Sequence, residues 1–238
     1  MNVLSYPPIL DAISLVNLRN EVQYFYPLEY NKWIGKYDEP ENTIERYILD
    51  SFDFLLSSQY PTAVGFEWWI ENLDGHNTIT LHSNHDDHHR KENGLLQYPL
   101  LSTETYLTND MDPTTILNTK QGKYWEEFDN NPPTEAVFSA PEEGKFITSD
   151  PRYMRGVFGG CSSRITLCYD VWNYKPKNLN RVGIVTKPFD VRFYKQESSP
   201  PVQWLGKTKK MKLNIAEQTF FKKFPTGYNA GETWKVTQ

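Results

Sequence analysis

TAVGFEWWIENLDGHNTITLHSNHDDHHR, residues 62–90, is where the chain changes its hydrophobic period. Val64, Phe66, Trp68 and Ile70 alternate with Gly65, Glu67, Trp69 and Glu71, which predicts a strand covered on both faces. Asp74-Gly75 marks a turn and Thr78–Asn84 reads as the returning strand. The stretch also holds every histidine of the chain, His76, His82, His85, His88 and His89, with Asp86 and Asp87 among them.

Upstream the period is helical. Ile44, Tyr47, Ile48, Phe52, Leu55 and Leu56 form one apolar stripe, predicting a helix over 42–58. Asn42 is its N-cap and Glu45, three residues on, completes a capping box. A helix placed there packs on the outside of a sheet. Residues 1–40 show only a short helical stripe and an irregular aromatic segment.

Downstream, short strands are expected at 102–107, 114–117, 135–139, 144–148, 154–158, 164–172, 182–185 and 191–194. Turn residues such as Asp112-Pro113 and Lys175-Pro176 separate them. Many short strands after a helical start predict a mainly β chain, built as a sandwich or jelly-roll barrel. The expected organisation is a helical support over 1–61, a β core over 62–197 and a basic extension over 198–238. Lys207–Lys212 in that extension reads as a solvated basic face, with a partner-binding patch as the alternative.

Composition excludes several classes. Hydrophobic residues make up 38% and aromatic residues 15%, which suits a packed β protein and not a disordered chain. The formal charge of −5 gives no strong nucleic-acid signal. No apolar run approaches the ~20 residues of a membrane span. Met1–Ile13 lacks a basic segment followed by an apolar core, so no secretory signal is expected. Cys161 and Cys168 form no CxxC pair and read as reduced, buried thiols, consistent with a cytoplasmic address. A hydrolase triad has no Gly-x-Ser-x-Gly to stand on, and no phosphate-cradling glycine loop is present.

The histidine run invites a metal. His82 and Asn84 lie two apart on a strand and share a face. A His-x-Asp pair in that geometry supplies two ligands of the facial triad of non-haem Fe(II), the third being a later histidine. A basic residue beyond it pairs with a dicarboxylate co-substrate.

These motifs resemble those of the 2-oxoglutarate- and Fe(II)-dependent oxygenases. Glu67-Trp68-Trp69 is followed by His82-Ser-Asn84-His-Asp86-Asp87, then Pro99-Leu-Leu-Ser102-Thr-Glu-Thr-Tyr106-Leu107. Pro113-Thr-Thr-Ile, Met154-Arg155-Gly156-Val157 and Arg164-Ile-Thr-Leu continue the order, over roughly Thr62 to Pro176. The resemblance implies a double-stranded β-helix, with Fe(II) and 2-oxoglutarate as cofactors of an active member. It places His82 at the first metal ligand and Arg164 at the arginine that binds the distal carboxylate of 2-oxoglutarate, with Tyr106 as a further contact. Asn84 then stands where the carboxylate ligand belongs and Arg155 where the second histidine belongs.

Two rescues of the metal site stay open. A slip of three makes His85 and Asp87 the His-x-Asp pair, or a local cluster of His82, His85, Asp87, His88 and His89 holds the ion. Against both, HDDHHR reads as a solvated loop. No histidine follows His89, so no catalytic residue is assigned. The functional readings are a non-catalytic homologue that binds a dicarboxylate or other anion through Arg155 and Arg164, an active hydroxylase with unusual ligands and, third, a metal-binding or scaffold protein that uses only the histidine loop. Trp68, Trp69, Trp125 and Trp172 read as core or pocket wall. The substrate is not legible.

Overall fold

A computed structural model describes residues 1–28, 30–73, 78–109, 112–123, 133–157, 163–183, 186, 188–193 and 208–213. Its strands are β1 (Val3–Tyr6), β2 (Lys32–Gly35), β3 (Gly65–Leu73), β4 (Ile79–His82), β5 (Leu101–Tyr106), β6 (Thr114–Lys120), β7 (Glu135–Ser139), β8 (Phe146–Ser149), β9 (Tyr153–Val157), β10 (Arg164–Trp172) and β11 (Thr208–Lys212). Helices α1 (Ala12–Phe25), α2 (Thr43–Leu55) and α3 (Asp87–Asn93) complete the described elements.

The strands form two antiparallel sheets, ordered β1-β8-β5-β10-β3-β2 and β11-β7-β6-β9-β4. β10 is the axis of the larger sheet. It pairs with β3 from Arg164↔Leu73 to Trp172↔Gly65 and with β5 from Thr166↔Tyr106 to Val171↔Leu101. All nine of its residues are buried, so both faces must be covered. Ile165, Leu167, Tyr169 and Val171 join Phe66 and Trp68 in the main core against α1 and α2. The alternate residues, Arg164, Thr166, Cys168 and Asp170, face the second sheet, because strand side chains point to opposite faces in turn.

α2 forms as its periodicity predicts. Ile44, Tyr47, Ile48 and Phe52 are fully buried, and the Phe52 ring meets Phe66 of β3 at 4.9 Å between centroids. Asn42 Oδ1 accepts from the Glu45 amide at 2.8 Å. The return arm of the box reaches one residue further than expected, for Glu45 Oε2 accepts from the Glu41 amide at 2.8 Å.

Several expectations change. Helix α1 and strands β1 and β2 occupy the segment read as a helical support, and both strands hydrogen-bond into the larger sheet. The solvated loop read at 85–90 is instead the start of helix α3. Asp86 caps it by accepting from the His89 amide at 2.8 Å, and Gly94 closes it in the left-handed region at φ 69°. Among the described residues, 182–183 and 191–193 form no strand. Phe193 makes an isolated bridge to Leu10 and stacks on Phe54 and Tyr47, so its apolar character serves the helix side of the core. The lysine segment 208–212 is strand β11 on β7, and Lys210 pairs with Glu135 at 2.7 Å. Asp74-Gly75, Cys161 and Trp125 lie outside the described residues. Among the described residues, no helix is long and apolar enough to cross a membrane.

Candidate functional site between the sheets

The polar interior begins with a register. β4 lies against β9 so that His82 is paired with Arg155. Gly156 makes this close approach possible, since a Cβ there would sit 2.6 Å from the Ile79 carbonyl oxygen. His82 Nδ1 lies 2.8 Å from Thr80 O, a carbonyl that can only accept, which leaves Nε2 as the lone-pair nitrogen. Burial, reinforced by the Arg155 charge, lowers the His82 pKa against the opposing pull of Thr80. Asn84 is buried and donates from Nδ2 to Ser102 Oγ at 3.2 Å and to Asp170 Oδ1 at 3.1 Å.

Arg155 is 4% exposed. Its Nη1 donates to Glu104 Oε1 at 3.2 Å and its Nη2 to the Ser149 hydroxyl, while Nε is buried and has no hydrogen-bond partner among the described residues. Arg164 is 1% exposed and held on every nitrogen. Nε donates to Thr166 Oγ1 at 2.9 Å, Nη1 to Asp112 O at 3.3 Å, and Nη2 to Thr114 Oγ1 at 2.7 Å and Glu104 Oε2 at 3.4 Å. Its guanidinium stands 4.9 Å from the centroid of the Tyr106 ring. The Tyr106 hydroxyl reaches Thr114 Oγ1 at 3.0 Å and Ser139 O at 3.1 Å.

Glu104 therefore ties the two arginines together, one carboxylate oxygen to each. Thr114 adds a hydroxyl at 2.7 Å to Oε2. Other acids surround this group. Burial raises the Asp170 carboxyl to about 6, and burial with Glu104 nearby raises Glu71. Cys168 is a free, buried thiol whose pKa burial, Glu71 and Glu104 push up, so it stays protonated.

The residues singled out from the sequence fall into two groups. His82, Asn84, Arg155, Arg164 and Tyr106 belong to the interior shared by the two sheets. His85 and Asp87 sit at the start of α3 and pair with each other at 3.3 Å, and Arg90 adds a bond to Asp87 at 3.1 Å. The His85 hydrogen bond, ahead of Arg90, pulls the Asp87 carboxyl down to about 2. His88 pairs with Glu92 along the same helix. Among the described residues, no group of three or more His, Cys, Asp or Glu side chains is placed to hold a metal ion.

Chemically, the positions that the oxygenase pattern gives to a metal carry one imidazole, one carboxamide that donates to a carboxylate, and one guanidinium. A guanidinium has no lone pair to offer and keeps its charge. That donor set does not fit a divalent ion.

Glu104, Glu71 and Asp170 escaped the reading of the sequence as site residues. The signal for Glu104 was present: it lies two residues before Tyr106 and so shares its face. Asp170 likewise shares a face with Arg164. Ser149, which accepts from Arg155, also lines a cleft of about 590 Å³ together with Leu4, Tyr60, Tyr98, Pro99 and Arg152.

No protein-family model and no curated protein matches the chain by sequence. Solved structures do match in fold. A Pseudomonas putida prolyl-4-hydroxylase is 12% identical, with 73% of this chain and 89% of that one covered at a TM-score of 0.51. The non-haem α-ketoglutarate-dependent carbocyclase SnoK of nogalamycin biosynthesis is 10% identical, with 81% and 91% covered at a TM-score of 0.51. The shared fold is the double-stranded β-helix of the 2-oxoglutarate/Fe(II) oxygenases, as the sequence pattern implied.

Proposed function

We propose that this protein is a non-catalytic member of the 2-oxoglutarate/Fe(II) oxygenase superfamily that binds a dicarboxylate or other small carboxylate between its sheets. The observation that carries the reading is the Arg155 guanidinium, buried opposite His82 and paired with Glu104. A permanent organic cation takes the position that the oxygenase pattern gives to a metal-binding histidine. Its charge repels a dication and attracts a carboxylate. The shared fold supports the superfamily, and the buried Arg155 Nε, without a hydrogen-bond partner among the described residues, supports the anion site.

The competing reading is an active hydroxylase with Fe(II), 2-oxoglutarate and unusual ligands. Anaerobic addition of Fe(II), with and without 2-oxoglutarate, separates the two through the visible metal-to-ligand charge-transfer band. The wild type is expected to give no band. The double variant Asn84→Asp with Arg155→His, which restores two ligating side chains beside His82, is expected to gain one. A wild-type band that disappears in His82→Ala overturns the proposal.

A further inference from the structure

We infer that the cleft beside the end of α2 is a second ligand site, apart from the interior between the sheets, which takes a small uncharged molecule with an apolar ring and a hydroxyl head. This second site is independent of the anion reading above.

The strand register sets its position. Leu4 of β1 lies opposite Thr148 of β8, and Thr148 lies opposite Thr103 of β5. Ser149, the next residue, turns to the other face, where its hydroxyl accepts from Arg155. Thr148 and Leu4 therefore face the helix side of the larger sheet, and Leu4 packs on the main core there. Leu56 and Tyr60, just past the end of α2, face them across the cleft, and Leu100 and Leu101 complete its wall. Its volume of about 590 Å³ falls within the roughly 300–1,000 Å³ of small-molecule sites.

The wall chemistry names the ligand class. Four leucines offer an apolar ring a surface to bury against, and the rings of Tyr60 and Tyr98 flank it. The Tyr98 hydroxyl is used, donating to Gly122 O at 2.7 Å. Thr148 is only 3% exposed, yet its hydroxyl has no hydrogen-bond partner among the described residues, and neither has that of Tyr60. A ligand hydroxyl that pairs with them removes the cost of leaving them unpaired.

Charge counts against an ion. Among the described residues, the charged side chains lining the cleft are Asp150 and Arg152. They close on each other, Arg152 Nε on Oδ1 at 2.9 Å and Nη2 on Oδ2 at 2.7 Å. Lys120 adds a bond to the same Oδ2 at 2.6 Å, but its ammonium stands over the Tyr153 ring, outside the lining. With Lys120 counted, one positive charge is in excess. Arg152 and Lys120 have side chains 50% and 37% exposed, so water already screens it and an anion gains little there.

NMR titration of the full-length, amide-labelled protein tests this with four probes of one ring size: p-cresol, toluene, 4-methylbenzoate and 4-methylbenzylamine. p-Cresol is expected to bind about tenfold more tightly than either charged probe, which must shed water from its charge. The shifts are expected at Leu4, Tyr60 and Leu101. Thr148→Val, which removes the hydroxyl and keeps the shape, is expected to weaken p-cresol about fivefold, the worth of one hydrogen bond, and to leave toluene unchanged. A charged probe that binds as tightly as p-cresol overturns the ligand class, and this ranking needs no variant to fold. Unchanged p-cresol affinity in a folded Thr148→Val protein overturns the role of that hydroxyl. Shifts centred on His82 and Arg155, or no saturable binding of p-cresol, overturn the site itself.

Discussion

Glu104 shows how much one buried carboxylate can organise. Its two oxygens pair with Arg155 and Arg164 at once, and removing it leaves two guanidinium groups facing each other in a low-dielectric interior. Glu104→Ala is therefore expected to destabilise the fold by about 3–5 kcal/mol, the usual cost of breaking a buried pair from one side. The midpoint of urea unfolding measures it. Glu67 makes a different case. Burial first, then the charge of Asp170, raises its carboxyl to about 7, while Asn31 and Trp172 donate to it at 2.7 and 3.1 Å. A carboxyl raised in the folded state stabilises the protein below its unfolded value near 4.5 and loses that contribution as the pH climbs through about 7. Melting temperature should fall between pH 5 and pH 8, and Glu67→Gln should flatten that slope. The full shift corresponds to at most about 3 kcal/mol. Asp170, raised to about 6, adds to the same fall, so Glu67→Gln should leave part of it, while groups held low, such as Asp87 at about 2, titrate below this window.

At the scale of elements, α2 and α3 draw their stability from different sources. α2 buries a complete stripe, so its cost for a lost side chain is a cavity: Phe52→Ala should lower stability by about 3–5 kcal/mol. Losing its cap is cheaper, and Asn42→Ala should cost about 1 kcal/mol in the same thermal or chemical denaturation. α3 buries none of its residues and depends on its ends. Asp86 accepts from both the His89 amide and the Tyr174 hydroxyl, at 2.8 and 3.0 Å. Asp86→Ala should therefore speed amide exchange across 87–93 with little change in global stability. The two helices also differ in how far the sequence disclosed them. α2 was legible because one face repeats at helical spacing. α3 was not, because it has no buried face and its only signals are a capping aspartate and a following glycine.

At the scale of the molecule, the period-2 strands from Thr62 to Trp172 determined a β architecture by themselves, because alternation follows from the geometry of an isolated strand. Arg164, His82 and Tyr106 were picked out by the resemblance to the oxygenases, and the structure buries Arg164 and Tyr106 side by side. The strands at either end were less readable. β1, β2 and β11 are short, with little alternation of their own, and they become strands by pairing with β8, β3 and β7. Charge pairing was the other thing left to tertiary structure. Glu104 and Arg155 are 51 residues apart, and Glu104 and Arg164 are 60 apart. Nothing local forces either contact. Pairing of β5 with β10 within the larger sheet brings Glu104 to Arg164, and the packing of the second sheet brings Arg155 to the same carboxylate. The sequence alone thus determined the β architecture and the strands that carry His82, Arg155 and Arg164, while Glu104, Glu71 and Asp170 came to light only in the fold. The tertiary structure decided that the cation opposite His82 is Arg155, and that Glu104 already answers it.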